Sequence, residues 1–237
     1  MEKRTLRPRA ALAWLLSAAA FLLASCGDYF QFSGDDEPWE GTMRCLNDGC
    51  TVMVGDTMKL SADFSPARPD SMAVFWRALP TDTTAAKALV LGDRLIALEP
   101  GEISVEAVLA NARVADTCSV RVIGRWEEQD FSRLYPHDMV VYARLLVDGQ
   151  PWQPDSMRVG AFVGGELCGL AEPMEAHGIS YAVLRIWARQ TDGVGRVVLR
   201  CYDRRRFQLR STAVRLDFST GQTLGTLSRL YEIDFTE

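Results

Sequence analysis

Alternation of apolar and polar residues is the sequence feature that most restricts how this chain can fold. A side-chain period of two marks a strand with one face on a core and the other in solvent. Short runs of this kind between turn signals are typical of a β-sandwich. Before residue 124 the alternating apolar positions are Met58, Leu60, Ala62 and Phe64, then Ile103, Val105, Ala107 and Leu109, then Cys118, Val120 and Val122.

The segment 43–123 is predicted to be one immunoglobulin-like sandwich. Turn-forming pairs separate its strands at Gly55-Asp56, Gly92-Asp93 and Pro100-Gly101. About eighty residues with roughly seven short strands suit that fold. Trp76 is expected to pack in the core between the two sheets, since an indole buries a large apolar area.

Residues 125–237 predict a second β-sandwich, with the boundary at Gly124. Met139, Val141, Ala143, Leu145 and Val147 share one strand face, and Asp148-Gly149 then offers a hairpin turn. No sustained 3.6-residue stripe appears, so we expect at most one short helix. The further predicted strands are Arg158–Val163, Ile179–Trp187, Arg196–Tyr202, Ala213–Phe218 and Leu230–Phe235.

The N-terminus has the organisation of a secretory leader. Four basic residues stand within the first nine positions, and a mostly apolar stretch of residues 10–24 follows. That stretch is short for a membrane-spanning helix, which needs roughly 20 apolar residues. The run Leu23-Ala24-Ser25-Cys26 resembles the lipobox of bacterial lipoproteins. The resemblance implies removal of residues 1–25 and acylation of Cys26; the alternative is an uncleaved N-terminal helix.

An acidic linker is predicted over residues 26–42, after the lipidated cysteine. It contains Asp28, Asp35, Asp36 and Glu37 and no periodic apolar pattern. Acidic residues soon after the lipidated cysteine resemble a surface-display signal of Bacteroidota lipoproteins. We therefore expect an outer-membrane lipoprotein that faces outward, with a periplasm-facing anchor as the alternative.

A family resemblance covers most of residues 43–123. The strings Val54-Gly55-Asp56-Thr57, Leu60-Ser61-Ala62 and Pro100-Gly101, with Trp76 and the closing strand from Cys118 to Val122, resemble the bacterial Ig-like group 2 (BIG2) module. The resemblance implies the sandwich that the alternation also predicts.

A second resemblance covers nearly all of residues 125–237. It rests on Trp126, on the segment Val159-Gly160-Ala161-Phe162-Val163-Gly164, on Glu166 to Ala171 and on Tyr202-Asp203. These resemble a β-sandwich module found at the C-terminal side of Bacteroidota surface proteins. That module implies a fold and a location but no activity.

The cysteines do not predict a metal site. Besides Cys26 the chain has Cys45, Cys50, Cys118, Cys168 and Cys201, an odd number without a CxxC pair. Cys118 and Cys201 alternate with apolar neighbours and are predicted to be buried core thiols. A Cys45–Cys50 link is the best candidate for a local disulfide, and the sequence leaves the pairing among the five cysteines open.

No residue set for catalysis is recognisable in the sequence. The only histidines, His137 and His177, are expected in exposed loops or turns, and nucleophile and phosphate-binding motifs are missing. The net charge of −5 becomes −8 once the leader with its four basic residues and one acid is removed. Such a chain does not suit nucleic acid. We expect no enzyme activity, no cofactor and no metal.

Aromatic residues in polar loops favour a binding function. Trp152 lies between two prolines in Pro151-Trp152-Gln153-Pro154, and exposed tryptophan is a common hot spot for ligands. Tyr135 and Trp126 are further candidates for the same surface. The sequence thus predicts an Ig-like stalk that carries an adhesion or glycan- or protein-binding module. A structural accessory of an envelope complex is the alternative, and a glycan-active enzyme is the least favoured.

Overall fold

Strands make up nearly all regular structure in the computed structural model, which describes residues 39–236 without 68–69, 71, 80–87, 111–113, 128 and 190–195. Within these residues one helical turn, Phe131–Leu134 (α1), accompanies nineteen strands. The all-β prediction with at most one short helix is therefore confirmed. The signal peptide, Cys26 and most of the acidic linker lie outside the described residues.

The first nine strands form two facing layers. One layer has the order β2-β9-β8-β5, with β2 parallel to β9; the other consists of the sheet β3-β7-β6 and the pair β1-β4. This matches the immunoglobulin arrangement: β1, β3 with β4, β7 and β6 correspond to strands A, B, E and D of one sheet, and β5, β8 and β9 to strands C, F and G of the other. The strands are Thr42–Cys45 (β1), Thr51–Met53 (β2), Thr57–Lys59 (β3), Ala62–Ser65 (β4), Val74–Leu79 (β5), Ala88–Leu91 (β6), Arg94–Ala97 (β7), Gly101–Leu109 (β8) and Ala115–Ile123 (β9).

The alternating run from Met58 to Phe64 is one strand interrupted at residues 60–61. The buried side chain of Asn47 fills the interruption: its Nδ2 donates to the carbonyl of Lys59 (3.0 Å), and its Oδ1 accepts from the Ser61 N–H (2.7 Å). An amide side chain here replaces a strand partner, so these peptide groups stay paired inside the fold.

Trp76 is less buried than the sequence predicts. Its neighbours along β8 and β9 are core residues, but Trp76 itself is only half-buried. The reason is its position, since β5 lies at the end of its sheet and, among the described strands, pairs with β8 only. The core between the layers is built by the inward residues Met58, Leu60, Leu95, Ala97, Ile103, Val105, Ala107, Leu109, Cys118, Val120 and Val122.

The last ten strands form a second sandwich, with the sheet order β11-β10-β14-β13-β12-β15-β16. Strand β10 also pairs in parallel with β18 and β19, and β17 pairs with β15. The strands are His137–Val147 (β10), Gln150–Pro151 (β11), Met157–Val163 (β12), Glu166–Ala176 (β13), Ile179–Ala188 (β14), Arg196–Asp203 (β15), Gln208–Ser211 (β16), Leu216–Asp217 (β17), Thr223–Leu224 (β18) and Tyr231–Phe235 (β19).

Strand β13 holds the second sandwich together at one side. Its first half pairs with β12 and its second half with β14, so it passes from one layer to the other. On the opposite side a single bridge between Ser211 and Thr236 joins β16 to the end of β19. The apolar faces of both layers meet in one core, which includes Val141, Leu184, Leu199, Ile233 and Phe235.

Most predicted strands of this half are confirmed. The hairpin at Asp148-Gly149 has positive φ angles of 50° and 71°, as a two-residue type I′ turn requires. The predicted strand Ala213–Phe218 shrinks to Leu216–Asp217. Strand β13 was not predicted, because its buried positions do not alternate.

The loop position expected for His137 is wrong, and the structure does not contain the candidate Cys45–Cys50 disulfide. His137 is the first residue of β10, where it pairs with Ala188 and is half-buried, whereas His177 does lie in an exposed turn with φ of 53°. Cys45 and Cys50 are both free thiols. The side chain of Cys45 points into the core and contacts the carbonyl of Asp116 at 3.5 Å.

Strands of the two groups pair only within their own group in the described part of the chain. Contacts nevertheless connect the groups: the Tyr202 hydroxyl accepts from the Met53 N–H (3.2 Å) and donates to Asp56 Oδ2 (3.1 Å). Residues 41–237 form one compact unit. Two domains divided at Gly124 therefore stay a prediction. None of the described helices has the length and apolarity to cross a membrane.

Candidate functional site

A fork in the second sandwich creates a groove. Strands β12 and β13 are paired at Gly160 and Leu170, but from Ala171 onward β13 pairs with β14 instead. The two strands therefore separate beyond Leu170. The space between them is a groove of about 980 Å³, which we call the fork groove. One wall is formed by Met157 to Val159 of β12, and the other by Leu170 to Pro173 of β13.

Gly169 allows the fork to form. A Cβ atom at this position would lie 2.2 Å from the carbonyl oxygen of Arg185 on β14, closer than any real contact. Only glycine lets β13 approach β14 this closely while it leaves β12. The fork groove thus depends on one residue without a side chain.

Two tryptophans line the fork groove. Trp152 follows the β10–β11 hairpin; its backbone N–H donates to Leu145 (3.0 Å) and its indole Nε1 donates to the carbonyl of Met157 (3.1 Å). Its half-buried ring packs against the core, so the indole is held in place. Trp187 lies on the outward face of β14, half-buried, with the Arg185 guanidinium 5.8 Å from its ring centroid.

Polar groups of both charges surround these rings. Arg158 donates through Nη1 to the carbonyl of Trp126, and Arg185 forms an ion pair with Asp138 (3.4 Å). Asp130, Asp155 and Glu172 add three carboxylates to the lining. An aromatic platform with mixed hydrogen-bonding groups suits a polar ligand that has apolar faces and little net charge.

The structure separates the three residues that the sequence proposed for one binding surface. Trp152 lines the fork groove. Trp126 is 4% exposed and packs on Phe162 (centroids 5.3 Å apart) and Tyr202 (6.4 Å). Tyr135 is also buried, and its hydroxyl donates to Glu166 Oε2 (3.2 Å). Neither Trp126 nor Tyr135 lines the groove.

Trp187 is the groove residue that the sequence reasoning missed. It occupies an outward, half-buried position of the alternating strand β14, where a large aromatic side chain packs against the core without being enclosed in it. That mismatch between residue type and strand face is a signal that the sequence contains. The core-facing partners in the same strand are Ala182, Leu184, Ile186 and Ala188.

The buried thiols are poor nucleophiles. Burial, with a smaller contribution from Asp203, raises the pKa of Cys201 to about 12; burial raises the pKa of Cys118 to about 12 as well. Burial also raises the pKa of Cys168. A thiol reacts as its thiolate, which is scarce at neutral pH for such groups. Among the described residues, no three or more His, Cys, Asp or Glu side chains are placed to hold a metal ion.

No protein-family model matches the chain, and no curated protein matches it in sequence. Solved structures with partial similarity include domains 4–9 of the surface layer protein SbsC (10% identity, TM-score 0.28, 81% of this chain and 32% of that one). Another is the human desmocollin-1 ectodomain (14% identity, TM-score 0.26, 82% of this chain and 39% of that one). A third is the Bacteroides ovatus SGBP-B protein of a mixed-linkage glucan utilization locus, in complex with a mixed-linkage heptasaccharide (12% identity, TM-score 0.22, 78% of this chain and 48% of that one).

The chain spans about a third of the length of the first two of these structures. With TM-scores below 0.5, none of them supports a statement about function. The immunoglobulin-like assignment rests on the strand order and pairing of the chain itself.

Proposed function

We propose that this protein is a non-enzymatic, lipid-anchored protein of the cell envelope that binds a saccharide in the fork groove. The observation that carries the proposal is the pair of half-buried indoles, Trp152 and Trp187, on the walls of one groove. The apolar face of a pyranose ring stacks on an indole, and its hydroxyls pair with carboxylates and guanidinium groups. Arg158, Arg185 and Glu172 supply such groups at the rim.

We also propose how the protein is held at the cell surface. The Ig-like layers serve as a stalk, and Cys26 carries the acyl chains that hold the protein at the outer membrane, facing outward. Anchoring of this kind takes more than one acyl chain. The leader supports acylation of Cys26, and the acidic residues after Cys26 support outward display.

Binding is tested with neutral and acidic oligosaccharides on a glycan array, followed by calorimetric titration of the best ligand. Trp187→Ala is the informative variant, because Trp187 lines the groove and, although it packs against the core, is not one of the fully buried core residues. We expect its Kd to rise at least tenfold, about 1.4 kcal/mol. Tyr142→Ala is the matched control, since Tyr142 is an aromatic residue on the same sheet that does not line the groove.

An unchanged Kd in Trp187→Ala, or no binding to any glycan, contradicts the saccharide proposal. The second outcome favours a structural accessory of an envelope complex. Release of shorter sugars from the ligand would instead indicate an enzyme. The anchor is tested separately: Cys26→Ser is expected to move the protein from the membrane fraction to the soluble fraction, and protease treatment of intact cells should release the wild-type protein.

A further inference from the structure

A second fork opens beside Trp152, between β10 and β14. Ala143 is the last residue of β10 that pairs with β14, and from Leu146 the partner of β10 is β11. Both partners lie on the side of β10 opposite to β19, because Ala143 and Leu146 also pair with β19. Strand β14 therefore leaves β10 beyond Ala143. The space between the β10–β11 hairpin and the β13–β14 hairpin is a groove of about 790 Å³, which we call the hairpin groove.

The fork groove and the hairpin groove meet at Trp152. Together with Pro154 and Pro173, this tryptophan lines both of them. Trp152 directly follows β11 and so stands where the second fork opens. Its indole is held there by the hydrogen bond to the Met157 carbonyl. The two grooves are therefore neighbours with three lining residues in common.

The hairpin groove has the same kind of lining as the fork groove. Tyr181 supplies an aromatic ring, which is half-buried and has its centroid 6.2 Å from that of Tyr142. Arg144 and Glu175 are exposed and supply one charge of each sign, and Ser180 adds a hydroxyl. An aromatic ring beside charges that cancel suits a polar ligand with apolar faces and little net charge.

The spacing of the aromatic rings sets the size of the ligand. Trp187 of the fork groove and Tyr181 of the hairpin groove lie on the same outward face of β14, six residues apart. At about 3.3 Å per residue, these positions are about 20 Å apart. With bonds of about 1.5 Å, one pyranose and its linking oxygen extend a chain by about 5 Å. A chain of about four sugar units is therefore needed to reach both rings.

We propose that the fork groove and the hairpin groove form one track, which binds a long, neutral, linear saccharide chain across Trp152. The inference rests on the proposed function and adds the length and the charge of the ligand to it. A saccharide of two units occupies the fork groove alone, where two indoles are available. Longer chains continue past Trp152 and reach Tyr181.

The prolines of the track favour a saccharide over a peptide. Beyond Leu170 one edge of β13 has no partner among the described strands, and an extended peptide binds to such an edge through backbone hydrogen bonds. Pro173 lies within this edge and has no N–H to donate. Pro151 and Pro154 line the facing side and lack this donor as well. Sugar hydroxyls do not depend on a continuous row of backbone donors.

The dependence of affinity on chain length tests the proposal. The ligands are oligosaccharides of two, four and six units derived from cellulose, xylan and mannan. They are titrated calorimetrically into the full chain with Cys26→Ser, in a detergent without a sugar headgroup. For the series that binds, we expect Kd to fall by roughly tenfold or more from two units to four and to change little from four to six.

Tyr181→Ala tests the hairpin groove separately. We expect the Kd of the six-unit ligand to rise by roughly tenfold, because one aromatic ring of the track is lost. The Kd of the two-unit ligand should stay unchanged, which also shows that the variant is folded. Phe75→Ala is the matched control, since Phe75 is an exposed aromatic residue of β5 that lines neither groove. It should bind all lengths like the wild type.

Three results would overturn the track. The first is equal affinity for two and six units, and the second is an unchanged Kd of the six-unit ligand in Tyr181→Ala. Both leave saccharide binding in the fork groove standing, provided that Trp187→Ala still weakens every ligand. The third is failure of all three neutral series to bind the wild type. Binding of an acidic glycan on the array would then still support the fork groove, so the two failures are distinguishable.

Discussion

At the scale of single residues, burial sets the chemistry of the cysteine side chains. Cys201 is fully buried between the layers of the second sandwich, beside Asp203. Its thiol therefore stays protonated far above the pH at which an exposed thiol ionises. A proton held by the folded state alone makes stability depend on pH.

Alkaline pH is expected to destabilise the reduced protein. Below about pH 9 the Cys201 thiol is protonated in both states; between about 9 and 12 only the unfolded chain loses the proton. The free energy of unfolding then falls as pH rises, by ~1.4 kcal/mol per pH unit for each such group. Chemical denaturation between pH 8 and 11 measures this slope. Cys201→Ala should make the slope shallower, and an unchanged slope would contradict the burial argument.

At the scale of elements, strand β13 determines the shape of the second sandwich. It joins the two layers, and the fork groove lies beside it. It also passes so close to β14 that a Cβ atom on Gly169 would lie 2.2 Å from the Arg185 carbonyl oxygen. The register of β12 against β13 also shifts between Ala161 and Phe162. An irregularity of this kind bends a strand locally, which agrees with the divergence of the two strands.

Gly169→Ala is expected to destabilise the protein by about 3 kcal/mol, because the added methyl group overlaps backbone that can move only if β14 moves. Gly124→Ala is the matched control: its Cβ would have its nearest neighbour, Pro100 Cγ, at 4.0 Å. Urea denaturation of the two variants measures the difference. Equal stabilities would show that β13 does not need glycine at the crossing.

At the scale of the whole molecule, a buried cluster connects the two sandwiches. Trp126 packs on Met53 from the first and on Phe162 and Tyr202 from the second. The Tyr202 hydroxyl joins the Met53 N–H to Asp56, and Arg204 adds an ion pair with Asp56 at 2.8 Å. We therefore expect the two halves to unfold together.

Trp126→Ala should separate their unfolding. The loss of a buried indole costs about 3–5 kcal/mol, and here the loss falls on the contact between the sandwiches. Differential scanning calorimetry should show one transition for the wild type and two for the variant. Arg204→Ala removes an ion pair whose guanidinium is 64% exposed, and Asp56, 13% exposed, keeps its hydrogen bond from Tyr202; this variant should therefore lose less stability than Trp126→Ala and keep one transition. A single transition in Trp126→Ala would show that the halves are coupled by other contacts.

The sequence by itself determined which residues face a core. Period-two alternation predicted β8, β9, β10 and β14, and the Asp148-Gly149 pair predicted the hairpin, because side-chain direction and turn geometry are local properties of the backbone. It also placed Cys118 and Cys201 inside. These predictions required no knowledge of which strand lies next to which.

Tertiary structure alone decided which distant residues meet. Trp126 is buried by Met53 and Tyr202, Cys45 is hydrogen-bonded to Asp116 on β9, and β13 crosses between layers although its own pattern is irregular. The fork groove is formed by strands that pair and then diverge. Such contacts depend on the packing of whole sheets, whose energies are not encoded at any one position of the chain.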